Sequence, residues 1–285
     1  MKVAQVFRLD PEFSECLYTL PNLDREEARA SKIDIRKNAR LGATPGKRME
    51  ALAKGRRFAS ALEVAAVLAS LWGLAYPRPY EAIIMILAAL PWIAVEAVRR
   101  SRGLFRMDKN PSDAHPNVAI PYIFPGMILM LRSVFDYNIV PSLAVLWFSV
   151  GMGGLLCLSA FAADSTMRAS VISTAALAAF SLVYGYGVAI EGNALLDHSS
   201  GMSYTANVEE KRIVTSKGTT YELELGPWGP ILRRNKLRVG PATFNSIQRG
   251  DVVCLTLKHG ALGVNWYFMR AWQRGDTSGL GQSLR

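Results

Sequence analysis

Residues 118–135 read VAIPYIFPGMILMLRSVF, and the number of membrane crossings turns on them. Val118 to Leu131 supplies about 14 residues of apolar character, interrupted by Pro121 and Pro125, before Arg132. A bilayer core about 30 Å thick needs roughly 20 apolar residues in a helix. The stretch therefore reads as a tilted span, a re-entrant segment or an interfacial helix. The favoured reading is a span over 118–135, with Arg132 reaching the headgroups.

On both sides of this stretch the signal is stronger. Phe58 to Tyr76 is a 19-residue apolar block with one charge, Glu63, and Pro77-Arg78-Pro79 ends it. A second block covers 80–98 and stops at Arg99-Arg100. The connection 99–117 is polar, with five Lys/Arg, two Asp and the loop signals Asn110-Pro111 and His115-Pro116. Two further blocks cover 139–163 and 169–190. Five spans are expected within 58–191, or four if 118–135 only dips in.

The totals average this block with two polar ends. The 285 residues are 50% hydrophobic and 20% charged, with 33 Lys+Arg against 23 Asp+Glu, net +10. Mean hydropathy is +0.14. Such a composition excludes a disordered chain, and three cysteines exclude a disulfide scaffold. Residues 1–57 carry thirteen Lys/Arg and eight Asp/Glu, and no apolar core of a secretory signal follows Met1. Asp24 with Glu27 has the form of a capping box, opening a helix to about Arg40. Gly42-Ala43-Thr44-Pro45-Gly46 breaks it, and a short second helix, Lys47 to Arg57, leads into the first span.

From 199 to 273 the pattern changes to period two. Tyr221-Glu222-Leu223-Glu224-Leu225 alternates, and so does Val253 to Lys258, with turns at Ser216-Lys217-Gly218, Pro227-Trp228-Gly229-Pro230 and Arg249-Gly250-Asp251. Roughly five strands at this spacing make a small antiparallel sandwich or barrel. Its expected core is Val208, Leu223, Leu225, Val239, Leu255, Leu257, Trp266 and Phe268. Residues 274–285 read as a flexible tail. The fold class is thus a membrane α-helical bundle with a C-terminal antiparallel β domain.

Lys and Arg concentrate before the first span and between the second and third, and are sparse in the alternate turns. Cytoplasmic flanks carry this excess. The topology read from it is an N-terminus in the cytoplasm and a β domain outside, in the periplasm of a Gram-negative cell. If 118–135 does not cross, the β domain is cytoplasmic.

Candidate sites are few. Glu63 is either an ion ligand or a carboxylate near the interface. Arg132 and Asp136, four apart, share a helix face as an ion pair. Glu81, Glu96, Asp164 and Glu191 fall at span ends, and Tyr184 with Tyr186 fits an aromatic belt. Gly151, Gly153, Gly154 and Gly185 let helix backbones approach closely, within one bundle or at a homo-oligomer seam. Trp228 followed by Arg233, Arg234, Lys236 and Arg238 forms a basic loop with an aromatic beside it. Such a loop suits lipid headgroups or an acidic protein partner, and outside the cell nucleic acid is excluded. Its plain alternative is a solvated charged loop. His115, His198 and His259 fall in three different loops, and no zinc-ligand spacing, phosphate-binding glycine loop or nucleophile elbow occurs. Asp197-His198-Ser199-Ser200 reads as a polar linker. No catalytic residue, metal or cofactor is expected.

Glu191-Gly192-Asn193-Ala194-Leu195-Leu196-Asp197 closes the last block. Val208-Glu209-Glu210-Lys211, Tyr221 to Leu225, Gly250 to Val253 and Gly260 to Tyr267 follow in order. This order, over roughly residues 184–270, resembles a group of uncharacterised bacterial polytopic membrane proteins that end in such a domain. The resemblance implies a bacterial inner-membrane protein and carries no activity with it. The expected function is non-enzymatic: an interaction or accessory protein whose β domain contacts an envelope partner or caps the bundle. A small transporter or channel is the alternative.

Overall fold

The computed structural model describes residue 26 and residues 28–107, 113–164, 166–167, 170–215 and 219–270. The capping pair Asp24/Glu27, Cys16, Asn110-Pro111, Arg168, Ser216-Lys217-Gly218 and the tail 274–285 lie outside the described residues. Residues 28–37 are helical, and a 3-10 turn, Ala39–Leu41, closes that stretch before Gly42.

Among the described residues, five helices are long and apolar enough to cross a membrane: α1 (Pro45–Ala75), α2 (Tyr80–Arg100), α3 (Ala119–Asp136), α4 (Leu143–Ala163) and α5 (Val171–Leu195). The separate short helix expected over Lys47 to Arg57 is instead the first third of α1. Thr44 caps α1 by accepting from Lys47 N, and Pro45 occupies its first turn, where no N–H is needed. Nothing then breaks the helix until Tyr76-Pro77. The doubtful stretch 118–135 forms one helix. Pro121 falls in the first turn of α3, so its missing donor costs nothing there, and Pro125 alone interrupts the ladder.

The C-terminal sheet is six-stranded, antiparallel and nearly closed, in the order β1-β6-β5-β2-β3-β4. Its strands are β1 (Asn138–Ile139), β2 (Met202–Thr215), β3 (Thr219–Leu225), β4 (Asn235–Val239), β5 (Val252–Lys258) and β6 (Trp266–Met269). A six-residue helix, α6 (Pro241–Ser246), joins β4 to β5. The first half of β2 pairs with β5 and its second half with β3, with an irregularity between Val208 and Glu210. A bulge there bends the strand and lets one element serve both halves of a curled sheet.

β1 comes from the segment between α3 and α4. Asn138 and Ile139 pair with Tyr267 and Trp266. The fourth apolar block, read from Ile139, is therefore a helix only from Leu143. Its first residues are a strand, and Pro141-Ser142 separates the two, with Ser142 Oγ accepting from Ala144 N.

The core of the β domain contains Val208, Leu223, Leu225, Leu255 and Leu257, as expected, together with Ala206, Trp228, Leu237, Phe244, Ile247, Val253 and Tyr267. Val239 only flanks it. β6 is turned by one residue from the expected phase: Tyr267 points inward, while Trp266 is half-buried and Phe268 exposed. With period two, a one-residue slip exchanges the faces, and Trp-Tyr-Phe gives no apolar contrast to fix it.

Two compact units divide the chain: Met1–Met130 with Ser149–Val188, and Leu131–Phe148 with Ala189–Arg285. The second thus holds the β domain together with the ends of three apolar helices.

Candidate functional site

In the second unit the polar residues that close α5 bind the β5–β6 hairpin. Asn193 is fully buried. Its Nδ2 donates to Val264 O at 2.9 Å, and its Oδ1 accepts from Leu262 N at 2.9 Å and Val264 N at 3.4 Å. Its own carbonyl accepts from Ala261 N at 2.9 Å. The loop wraps this side chain so closely that a Cβ on Gly260 would collide with the Asn193 amide, and Gly260 holds φ +69°. Only glycine combines that backbone with that contact.

Four residues on, Asp197 accepts from Ser199 N at 2.8 Å, Gly260 N at 3.1 Å and Trp266 Nε1 at 2.8 Å. Burial alone would raise its pKa. Hydrogen bonds from Ser199, Trp266 and Gly260 outweigh burial and bring it down to about 2. What reads in the sequence as a polar linker is therefore a joint. The other side of the same hairpin binds the segment after α3. Val140 N donates to Asn265 O at 2.9 Å, and Tyr137 stands edge-on to Trp266 at 5.4 Å.

The basic loop has a different character from the one expected. Trp228 is 4% exposed and belongs to the core. Its Nε1 donates to Asn235 Oδ1 at 3.0 Å, and its ring meets Tyr267 edge-on at 4.9 Å. It is not a surface contact residue. The paired bonds between Trp228 and Ile231 close a tight turn that folds the ring inward. Arg233, Arg234, Lys236 and Arg238 are exposed. Three of them lie over carboxylates: Arg234 on Glu209, and Lys236 and Arg238 on Glu222. Arg212 adds pairs with Glu210 and Glu224. The outer face of β2, β3 and β4 is thus a ladder of both signs. The register explains it: Glu222 faces Arg238 and Glu224 faces Lys236 across the β3–β4 pair. Beside the bulge in β2, an open cleft of about 640 Å³ is walled by Glu209, Glu210, Arg234 and Arg249.

Arg132 and Asp136 pair at 2.8 Å in the last turns of α3.

In the first unit, Glu63 is half-buried beside the buried stripe Leu62, Ala66, Ser70 of α1. The four glycines split. A Cβ on Gly153 would lie 2.6 Å from Ser181 O, and one on Gly185 2.6 Å from Gly153 N, so these two seat α4 against α5. Gly151 and Gly154 face open space. Tyr184, expected in an aromatic belt, is buried and bonded to Trp92 and Ala88. Asp164, read as a charge at a span end, is 2% exposed. It accepts from Met107 N at 3.0 Å, Thr166 N at 3.0 Å and Arg106 at 3.5 Å. Glu191, likewise read at a span end, is buried in the second unit.

His115 pairs with Asp113 at 2.6 Å, and His198 and His259 are exposed. Among the described residues, no group of three or more His, Cys, Asp or Glu side chains has the geometry to hold a metal ion. No protein-family model, curated protein or solved structure matches this chain.

The joint at Asn193 and Asp197 was not legible as a site. Its residues sit in a short polar run, and their partners on the β5–β6 hairpin lie more than sixty residues away. The one local signal was an asparagine and an aspartate, four residues apart, closing an apolar helix.

Proposed function

We propose that this is a non-enzymatic multi-pass membrane protein that presents its β domain to a protein partner in the cell envelope. The carrying observation is the construction of the β domain. One strand comes from the α3–α4 segment, and the β5–β6 hairpin is bonded to the closing residues of α5. The domain is built onto helix ends rather than tethered by a linker, which suits a domain that presents a defined surface to a partner. Its mixed-charge face on β2, β3 and β4 selects a partner by charge pattern, since a partner that sets like charges against it is penalised. The same matching weakens the case for anionic lipid at this face.

Contacts inside the first unit support five crossings. Arg106 and Met107 precede α3, and Asp164, which binds both, follows α4. The start of α3 and the end of α4 therefore share one side. A 21-residue α4 is about 31 Å long at 1.5 Å per residue, enough to cross. When α4 crosses, α3 must cross too, because it joins the two sides α4 separates. With Lys and Arg concentrated before α1 and between α2 and α3, the N-terminal segment is cytoplasmic and the β domain periplasmic, in a bacterial inner membrane.

Fusion of alkaline phosphatase and of a cytoplasm-only fluorescent protein after Arg285 tests the topology. Phosphatase activity without fluorescence is expected, and the reverse sinks the five-span reading. A photo-crosslinking residue at Lys236 or Arg238 tests the function. A discrete adduct is expected that disappears on Glu222→Lys, while no adduct at either position removes the partner-binding face.

A further inference from the structure

Within the first unit, a cavity of about 410 Å³ opens between α2 and α4. That size is in the range that holds small ligands, about 300–1,000 Å³. One wall is a single face of α2, where Trp92, Val95, Glu96 and Arg99 recur at spacings of three and four. The facing wall is α4 with Ser159, Ala162 and Ala163. Their small side chains leave the space. Ser159 Oγ is already used on Leu155 O at 2.8 Å, so this wall offers a ligand no free hydroxyl proton. Trp92 is pinned, its Nε1 donating to Tyr184 OH at 2.8 Å, and that hydroxyl donates in turn to Ala88 O at 2.9 Å. Its ring is a fixed apolar wall.

The mouth is charged. Glu96 pairs with both Arg99 and Arg100, whose side chains are 76% and 81% exposed. One carboxylate against two guanidinium groups leaves one positive charge and unused N–H donors. Guanidinium is the side chain best shaped for a phosphate. α2 ends at Arg100 and α4 at Ala163. If the helices cross a bilayer, the cavity stands where hydrocarbon gives way to headgroups, on the side rich in Lys and Arg. Basic pockets between helices on that side suit acidic phospholipid headgroups.

We propose that this cavity seats one anionic glycerophospholipid of the surrounding bilayer. Its phosphodiester rests on Arg99, and one acyl chain lies along Trp92, Val95 and the small-residue face of α4. The inference rests on the membrane reading above and goes beyond it to a defined lipid site.

The test is native mass spectrometry of the full chain released from detergent after incubation with equal phosphatidylglycerol and phosphatidylcholine. A single bound phosphatidylglycerol is expected, favoured about five-fold for one charge contact. Arg99→Gln should bring the two lipids to parity, and its exposure keeps folding out of the result. Ala162→Leu, which fills the cavity without changing charge, should lower retention of both lipids several-fold. Equal retention of both lipids by the unaltered chain overturns the proposal, as does an unchanged preference in Arg99→Gln. Release of the chain from membranes by alkaline carbonate would instead overturn the membrane reading itself.

Discussion

Asp164 follows the last residue of α4, while Asn193 and Asp197 bracket the last residue of α5. Both positions grip a distant loop, and the chemistry differs. Asp164 is a buried carboxylate, held by Arg106 and by backbone and side-chain donors. Asn193 is a buried neutral amide whose side chain is bonded to main-chain groups of 262–264. Asp197 keeps its charge at the edge, where three N–H donors replace a cation. A buried charge needs both a counter-charge and hydrogen bonds, whereas a buried amide needs hydrogen bonds alone. The comparison teaches that the two ends fail differently. Removing a partner at Asp164 leaves a charge unmatched, and removing Asn193 leaves backbone groups unmatched.

The largest effect is expected at Asn193. Asn193→Leu orphans Leu262 N and Val264 O, each costing about 1–3 kcal/mol when buried. The β domain should lose about 3 kcal/mol or more, read as a drop in Tm, with faster hydrogen exchange at amides 261–264. Asn193→Asp should not rescue it, because a carboxylate meets the carbonyl of Val264 where an N–H is required. Rescue by aspartate would show that the site tolerates charge and would break the comparison.

Next is Asp164→Asn, expected to cost about 2–3 kcal/mol, below the usual range for breaking a buried pair because Arg106 keeps partial access to water. Increased exchange should appear at Met107. Replacing both members of the pair, as Asp164→Asn with Arg106→Gln, should recover part of the loss. A double variant no better than the single one would mean that the charge is not what matters at this end.

The contrast also marks what a sequence can carry. The apolar helices were legible because about twenty apolar residues in a row leave a local record that packing does not alter. Strands β3 and β5 were legible for the same reason, through alternation. β1 was hidden because Ile139 and Val140 extend the apolar block that becomes α4, and only their pairing with β6 separates them from it. The basic loop misled because Lys236 and Arg238 lie two apart in sequence, while Glu222, which pairs with both, lies on the neighbouring strand. Trp228 misled because its inward turn depends on the bonds to Ile231. The misses at β1 and at the basic loop concern residues whose role is set by a partner distant in the chain or across a strand pair, whereas Trp228 was set by a local turn.

Asp197 gives the smallest effect and the most specific one. Its pKa is lowered from 3.8 to about 2, so the folded state favours its charged form more than the unfolded chain does. That contribution is complete above about pH 4 and disappears as pH falls toward 2. Asp197→Asn keeps one acceptor and loses the charge, and should cost about 1 kcal/mol at neutral pH, near the low end for a charged hydrogen bond at a partly exposed site. The variant and the unaltered chain should then converge in stability as pH falls from 4 to 2. Near-ultraviolet circular dichroism of Trp266, followed by acid titration in detergent, measures this directly. A gap between the two that persists at pH 2 would mean that Asp197 acts through its shape and not its charge, which would bring it into line with Asn193 and leave Asp164 as the site where charge holds a helix end.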